Sequence, residues 1–290
     1  MSIVVVAFQQ IVPGQAVGLT YRTSTSWLWR CAQSQREKPR RIIMTQPSTL
    51  QDFPLAAGMQ AIKDSLTFTD FDTFYQDLLE NLPQNSPETR HRYASLIVRW
   101  YFPQRKLESL LARAWQAYGD DQLLTELIRV AVLEIEPVIA QFVTQVVQPL
   151  SPGESVDSLV MRDFITVLYG AYKANSHKRL IKTAHDLGFI ERRGNGWTVA
   201  AVQSPADALL ILVHARLAPT PRIVRVSDLL TEPFWRYLGL RQPDEVRAIL
   251  HDAHAAGLLS RYSTVDQLEQ VTTRYTTEEY LGRALRLQGP

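Results

Sequence analysis

The chain has 290 residues, 46% hydrophobic and 21% charged, which is ample apolar material for a core. Its 31 basic residues nearly cancel 29 acidic ones, leaving a formal charge of +2, so any electrostatic argument rests on where the charges sit. The single cysteine, Cys31, excludes an intramolecular disulfide and a cysteine-based zinc cluster, and no apolar run approaches the roughly 20 residues that cross a bilayer.

Residues 1–43 differ from the rest. Apart from the apolar IVVVAF they are rich in Ser, Thr, Gln and basic residues, and between Thr20 and Arg41 six basic residues face one acid, Glu37. This composition predicts a basic, poorly ordered extension, with a phosphate-touching arm as the alternative. The opening MSIVVVAF lacks the basic stretch of a signal peptide, so the expected location is the cytoplasm.

From Phe53 helical spacing dominates. PLAAGMQAIKDSL, FDTFYQDLLENL and SPETRHRYASLIVRWYF place apolar residues three and four apart, with breaks at Pro83 and Pro103. The third segment carries Ser86 as N-cap, Pro87 at the first helical position and Glu88 in the first turn. LLTELIRVAVLEIE is apolar nearly all round, which predicts a central buried helix, and Pro137 is placed to start the next one. Residues 44–150 therefore read as a helical domain containing a helix-turn-helix and a scaffold.

A polar turn, SPGES, leads to SLVMRDFITVLYGAYK and then to the helical NSHKRLIKTAHDL. Gly188 ends that helix, and FIERRGNGWTV alternates around Asn195-Gly196, a pair that favours a tight hairpin. Helix, helix, hairpin is the order of a winged helix-turn-helix, expected over 151–203. The same order can be drawn over 204–290, from VSDLLTEPFWRYLGL through QPDEVRAILHDAHAA to LLSRYS and LEQVTTRY. AHDLGFIERR and AHAAGLLSRY, 69 positions apart, mark the two helix-to-wing junctions. The expected fold is mainly α, with a helical N-terminal domain, a central scaffold and one or two winged-helix modules carrying short β-hairpins.

A groove-reading helix packs one face and offers polar and basic side chains on the other. In SPETRHRYASLIVRWYF the stripe Tyr93, Leu96, Ile97 and Trp100 packs, leaving Thr89, Arg92, Ser95 and Arg99 opposite, with Arg90 and His91 near the N-terminus. In SHKRLIKTAHDL, Leu180, Ile181, Ala184 and Leu187 pack, leaving His177, Lys178, Arg179, Lys182 and Thr183 outward. Arg192, Arg193 and Asn195 lie on the wing. In QPDEVRAILHDAHAA, Val246, Ile249, Leu250 and Ala253 pack, and the outer side carries Asp244, Glu245 and Asp252, which repel phosphate. That last module reads as a docking or dimerisation element.

The six histidines form no metal pattern, and no Gly-rich phosphate loop or nucleophile elbow occurs. No cofactor, metal or catalytic residue is expected, and the chain reads as non-enzymatic. Trp100, Trp115, Trp197 and Trp235 sit in apolar patterns and are expected in the core.

Taken in order, SPETRHRYASLIVRW, LLTELIRVAVLEIEPVIAQFV and SHKRLIKTAHDLGFIERRGNGWTV resemble the BrxA family of bacterial BREX phage-defence systems, over roughly residues 65–200. The resemblance implies a helical protein with an N-terminal helix-turn-helix and a winged helix that binds double-stranded DNA without catalysis. It places Arg90, Arg92 and Arg99 on the family's N-terminal reading helix, and Lys178, Arg179, Lys182, Arg192 and Arg193 on its winged element. The basic extension and the second module depart from the family. The expected function is a DNA-binding adaptor for other antiviral defence proteins, and the alternatives are a protein-interaction scaffold without DNA binding or a winged-helix transcriptional regulator.

Overall fold

The computed structural model describes residues 54–265 and 268–287, with side-chain surroundings as far as residue 283; the expectations placed on 1–43 and on Cys31 lie outside the described residues. Over this range the fold is mainly helical, with 13 α-helices and two small antiparallel sheets of two and three strands. No single described helix is long and apolar enough to cross a membrane.

The first three helices form where the helical spacing predicts. α1 is Leu55–Asp64, α2 is Phe71–Asn81 and α3 is Pro87–Tyr101. Asp70 caps α2 by accepting the amide of Thr73 at 2.8 Å, and Ser86 caps α3 by accepting that of Thr89 at 3.3 Å. Pro83 and Pro103 both fall in the connections. α4, Leu110–Tyr118, ends on Gly119 in the left-handed region at φ +61°. α5, Asp121–Ile135, is the central helix: Leu124, Leu127, Ile128, Val130, Val132 and Leu133 are all at most 2% exposed. Pro137 then opens α6, Pro137–Phe142, which runs into a single π turn, Val143–Val147.

From α6 onward one backbone plan occurs twice. The first copy continues from the π turn through a turn at Pro152-Gly153 and a short segment, 154–156, against β2, then α7 (Ser158–Tyr169), α8 (Ala174–Asp186) and the hairpin β1–β2 (Ile190–Arg193, Gly196–Val199). Ser155 forms an isolated antiparallel bridge with Thr198 of β2, so the segment entering this module lies against the second strand of its hairpin. The second copy runs from α9 (Ala206–Leu212) through a π turn (Val213–Leu217), β3 (Ile223–Arg225), α10 (Val226–Thr231), α11 (Phe234–Tyr237) and α12 (Pro243–Ala255) to β4 (Leu259–Val265) and β5 (Leu268–Thr273). Its strand order is β3-β5-β4. In both copies the entering segment, a single bridge in the first and β3 in the second, lies beside the last strand, and the first hairpin strand is on the far side. α13, Thr277–Leu287, follows and packs on α4 and the end of α9.

The spacing is conserved between the copies. α8 and α12 are both 13 residues long, and Ala174 and Pro243, Gly188 and Gly257, and Ile190 and Leu259 are each 69 positions apart. The corners are closed by the same bonds. Gly188 N donates to His185 O at 2.8 Å and Phe189 N to Ala184 O at 2.9 Å; Gly257 N donates to His254 O at 2.9 Å and Leu258 N to Ala253 O at 2.8 Å. Gly188 and Gly257 both sit at φ +73°, where a side chain is strained.

The π turns also correspond. The five-residue bonds Gln148 N to Val143 O and Ala218 N to Val213 O widen the chain at matching places, and in each turn the second residue bonds back to a carbonyl four positions earlier. Thr144 Oγ1 donates to Ala140 O at 2.8 Å, and His214 Nδ1 bonds Leu210 O at 2.8 Å.

One turn differs from expectation. The register pairs Arg193 with Gly196, so the two-residue loop is Gly194-Asn195 and not Asn195-Gly196. Gly194 takes the positive φ, +58°, at the first central position, which a Gly-first hairpin turn requires.

Candidate nucleic-acid interface

α8 packs on the stripe its sequence predicts, with Leu180, Ile181, Ala184 and Leu187 buried. Its far end is fixed by the scaffold: Arg129 of α5 donates Nε to Leu187 O at 2.5 Å and lies over the Phe189 ring at 5.6 Å. A buried guanidinium against the last carbonyls of a helix suits the negative end of its dipole, and burial pulls Arg129 below the ordinary arginine pKa.

Two predicted outward residues lie elsewhere. Thr183 is 1% exposed, because it sits three positions after Leu180 on the same wedge of the helix. His177, three and four positions before Leu180 and Ile181, extends the packing stripe: it is half-buried, and its Nδ1 is 2.9 Å from the Tyr172 hydroxyl. Burial lowers its pKa from the ordinary imidazole value.

Lys178 and Lys182 are exposed, Lys182 in an i,i+4 pair with Asp186, and Arg179 is half-buried. On the hairpin, Arg192, Arg193 and the loop residue Asn195 are all exposed. These six therefore lie on α8 and on the hairpin that directly follows it.

On α3, Ala94, Leu96, Ile97 and Trp100 are buried, with Tyr93 half-buried at the edge. Arg92 and Ser95 are exposed, Arg92 leaning over the Tyr93 ring at 5.6 Å. Arg90 and Arg99 are engaged within the fold. Arg90 Nε donates to Gln84 O at 2.7 Å, and Arg99 pairs with the Glu136 carboxylate, which also accepts from Trp100 Nε1 at 2.9 Å. Glu136 is the N-cap position of α6, so this cluster ties α3 to the start of the first module. Tyr93 also meets α8: with Leu55, Ala57 and Met59 of α1 and Lys182 and His185 of α8 it walls a groove of about 660 Å³.

α12 offers a different surface on the same frame. Val246, Ile249, Leu250 and Ala253 are buried as expected, and Asp244, Glu245 and Asp252 are exposed. Glu245 accepts the Gln242 amide at 2.9 Å, and Arg247 is held by Asp244 at 2.9 Å and Glu269 at 2.7 Å. Trp100 and Trp235 are core residues, 4% and 1% exposed, while Trp115 and Trp197 are half-buried. Among the described residues no group of three or more His, Cys, Asp or Glu side chains could hold a metal ion.

No protein family, curated protein or solved structure matches this chain.

Proposed function

We propose that the chain is a non-catalytic double-stranded-DNA-binding protein in which 151–203 acts as a winged helix, with α8 and the β1–β2 hairpin against the duplex. The observation that carries this reading is the contrast between two copies of one frame. Lys178, Arg179 and Lys182 of α8 stand where α12 has Arg247, Ala248 and His251, and Asn175 and Ser176 stand where it has Asp244 and Glu245. Only the first copy faces a polyanion without carboxylates at the start of its helix. Arg92 and Ser95 of α3 are the exposed contributors from the N-terminal part.

An adaptor role for partner enzymes is favoured by a second observation. Leu159, Val160 and Val167 on α7 are 63%, 48% and 68% exposed, an apolar surface suited to a protein and not to phosphate. The place of this adaptor in a phage-defence system rests on the resemblance of residues 65–200 to the BrxA family.

Phosphate neutralisation is tested by its salt dependence. If roughly 6 phosphates are contacted, the affinity for random-sequence duplex falls with a log-log salt slope near −5. A flat slope between low and high salt rejects DNA binding by these basic elements.

A further inference from the structure

A cleft of about 590 Å³ opens between the start of α7, the first turns of α8 and the β1–β2 hairpin. Its size falls in the range of small-molecule sites, roughly 300–1,000 Å³. Met161, Ile181 and Trp197 form its apolar walls, and Ser155, Ser158, Asp157 and Asn195 supply donors and acceptors. His177 also borders it. The imidazole is held from one side by the Tyr172 hydroxyl, and its Nε2 is buried without a protein partner. A buried polar atom left in that state costs about 1–3 kcal/mol, so a water or a ligand atom at this wall is favoured.

The second module shows what the same junction looks like when closed. Asp157 and Arg225 are the N-cap residues of α7 and α10, which makes Ser158 the counterpart of Val226; His177, 69 positions before it, is the counterpart of Val246. Val226 and Val246 are both 0% exposed. Where the second copy packs two valines, the first has a serine and a histidine beside an open cleft. At the half-buried His177 position stability alone favours the valine, so the histidine marks this wall of the cleft as used, while Ser158 stays exposed beside it.

We infer that this cleft binds a small nitrogen heterocycle of nucleoside type, uncharged or cationic. The lining contains no lysine or arginine and one carboxylate, Asp157, which disfavours phosphate or carboxylate ligands. Asp157 Oδ1 already accepts the Leu159 amide at 2.8 Å, and the remaining acceptor capacity of Asp157 and Asn195 suits an exocyclic amine. Trp197 and Met161 offer the apolar surface against which a flat ring packs.

The test is calorimetric titration of the full chain with adenosine, cytidine and guanosine, with uridine and adenosine 5′-monophosphate as comparisons. At least one amine-bearing nucleoside binds, about tenfold tighter than uridine or than the monophosphate, and Ser158→Val/His177→Val removes that binding while keeping or raising the melting temperature. Asn195→Ala, on an exposed loop where folding is unaffected, weakens binding about threefold or more. The inference is overturned if no nucleoside binds up to its solubility, if the valine pair binds as the wild type does, or if the monophosphate binds best. That last pattern would mean capture by the basic face of α8.

Discussion

The last turn of α8 and the last turn of α12 are superficially alike: each ends on a glycine at φ +73°, and each has an arginine near its final carbonyls. In the first module the arginine is Arg129, buried and supplied by the scaffold helix α5; in the second it is Arg274, exposed and supplied by the segment just after β5, reaching Gly257 O at 3.4 Å. The first module is thus clamped from below by the scaffold, and Lys178, Lys182, Arg192 and Arg193 lie exposed on it. The second satisfies itself locally, and its Arg247 is held by two carboxylates, Asp244 and Glu269, where Lys182 of the first has one, Asp186. A shared backbone plan does not imply a shared surface.

The clamp predicts the largest difference between the copies. A Cβ at Gly188 would approach Arg129 Nη2 to 2.8 Å, whereas one at Gly257 meets nothing closer than Arg274 Nη1 at 3.9 Å. Gly188→Ala therefore loses both the left-handed backbone preference and the seat of Arg129, about 2–4 kcal/mol in urea unfolding, against about 1–2 kcal/mol for Gly257→Ala. Equal losses would mean that Arg129 moves aside without cost. Next in size is Glu136→Ala, which removes the carboxylate that accepts from the Trp100 indole and pairs with Arg99; a loss of roughly 1–3 kcal/mol is expected, and a neutral result would show that this carboxylate does not tie α3 to the first module.

The smallest effect concerns pH. The second residue of each π turn bonds back to a carbonyl four positions earlier, Thr144 in one module and His214 in the other, and only the second titrates. Burial pulls the folded-state pKa of His214 below the ordinary imidazole value, outweighing the bond to Leu210 O that raises it. The unfolded chain therefore binds the proton first, so stability is full above the unfolded value of about 6.5 and is lost as pH falls below it. Melting temperatures at pH 7.5 and pH 5.5 should differ more in wild type than in His214→Asn, with Thr144→Val leaving the wild-type difference unchanged. A pH response that survives in His214→Asn assigns it to other groups.

Much of this frame is legible from local signals. Ser86, Pro87 and Pro137 start helices because their chemistry acts within a turn, and the Leu180-to-Leu187 and Val246-to-Ala253 stripes follow directly from helical spacing. What the spacing hides is long-range or aperiodic. Arg99 reads as a free basic residue because its partner Glu136 is 37 positions away, and Arg129 reads as a scaffold residue because Leu187 is 58 positions away. Each π turn adds a residue that shifts the helical phase. SPGES is the turn it reads as, and what the spacing hides is the bridge of Ser155 to Thr198, which spans the whole of α7 and α8. Among the candidate contacts, the outward lysines of α8 follow from the pattern, whereas the inward placement of Thr183 and His177 needed the width of the buried face.

We propose that only the first of the two like modules faces DNA. Fluorescence anisotropy with a random-sequence duplex, comparing Lys178→Ala/Arg179→Ala/Lys182→Ala with the second-module variant Arg247→Ala/Arg261→Ala, tests it directly. The account predicts a loss of about tenfold or more for the first and less than about twofold for the second. Equal losses, or a larger loss in the second module, would contradict it.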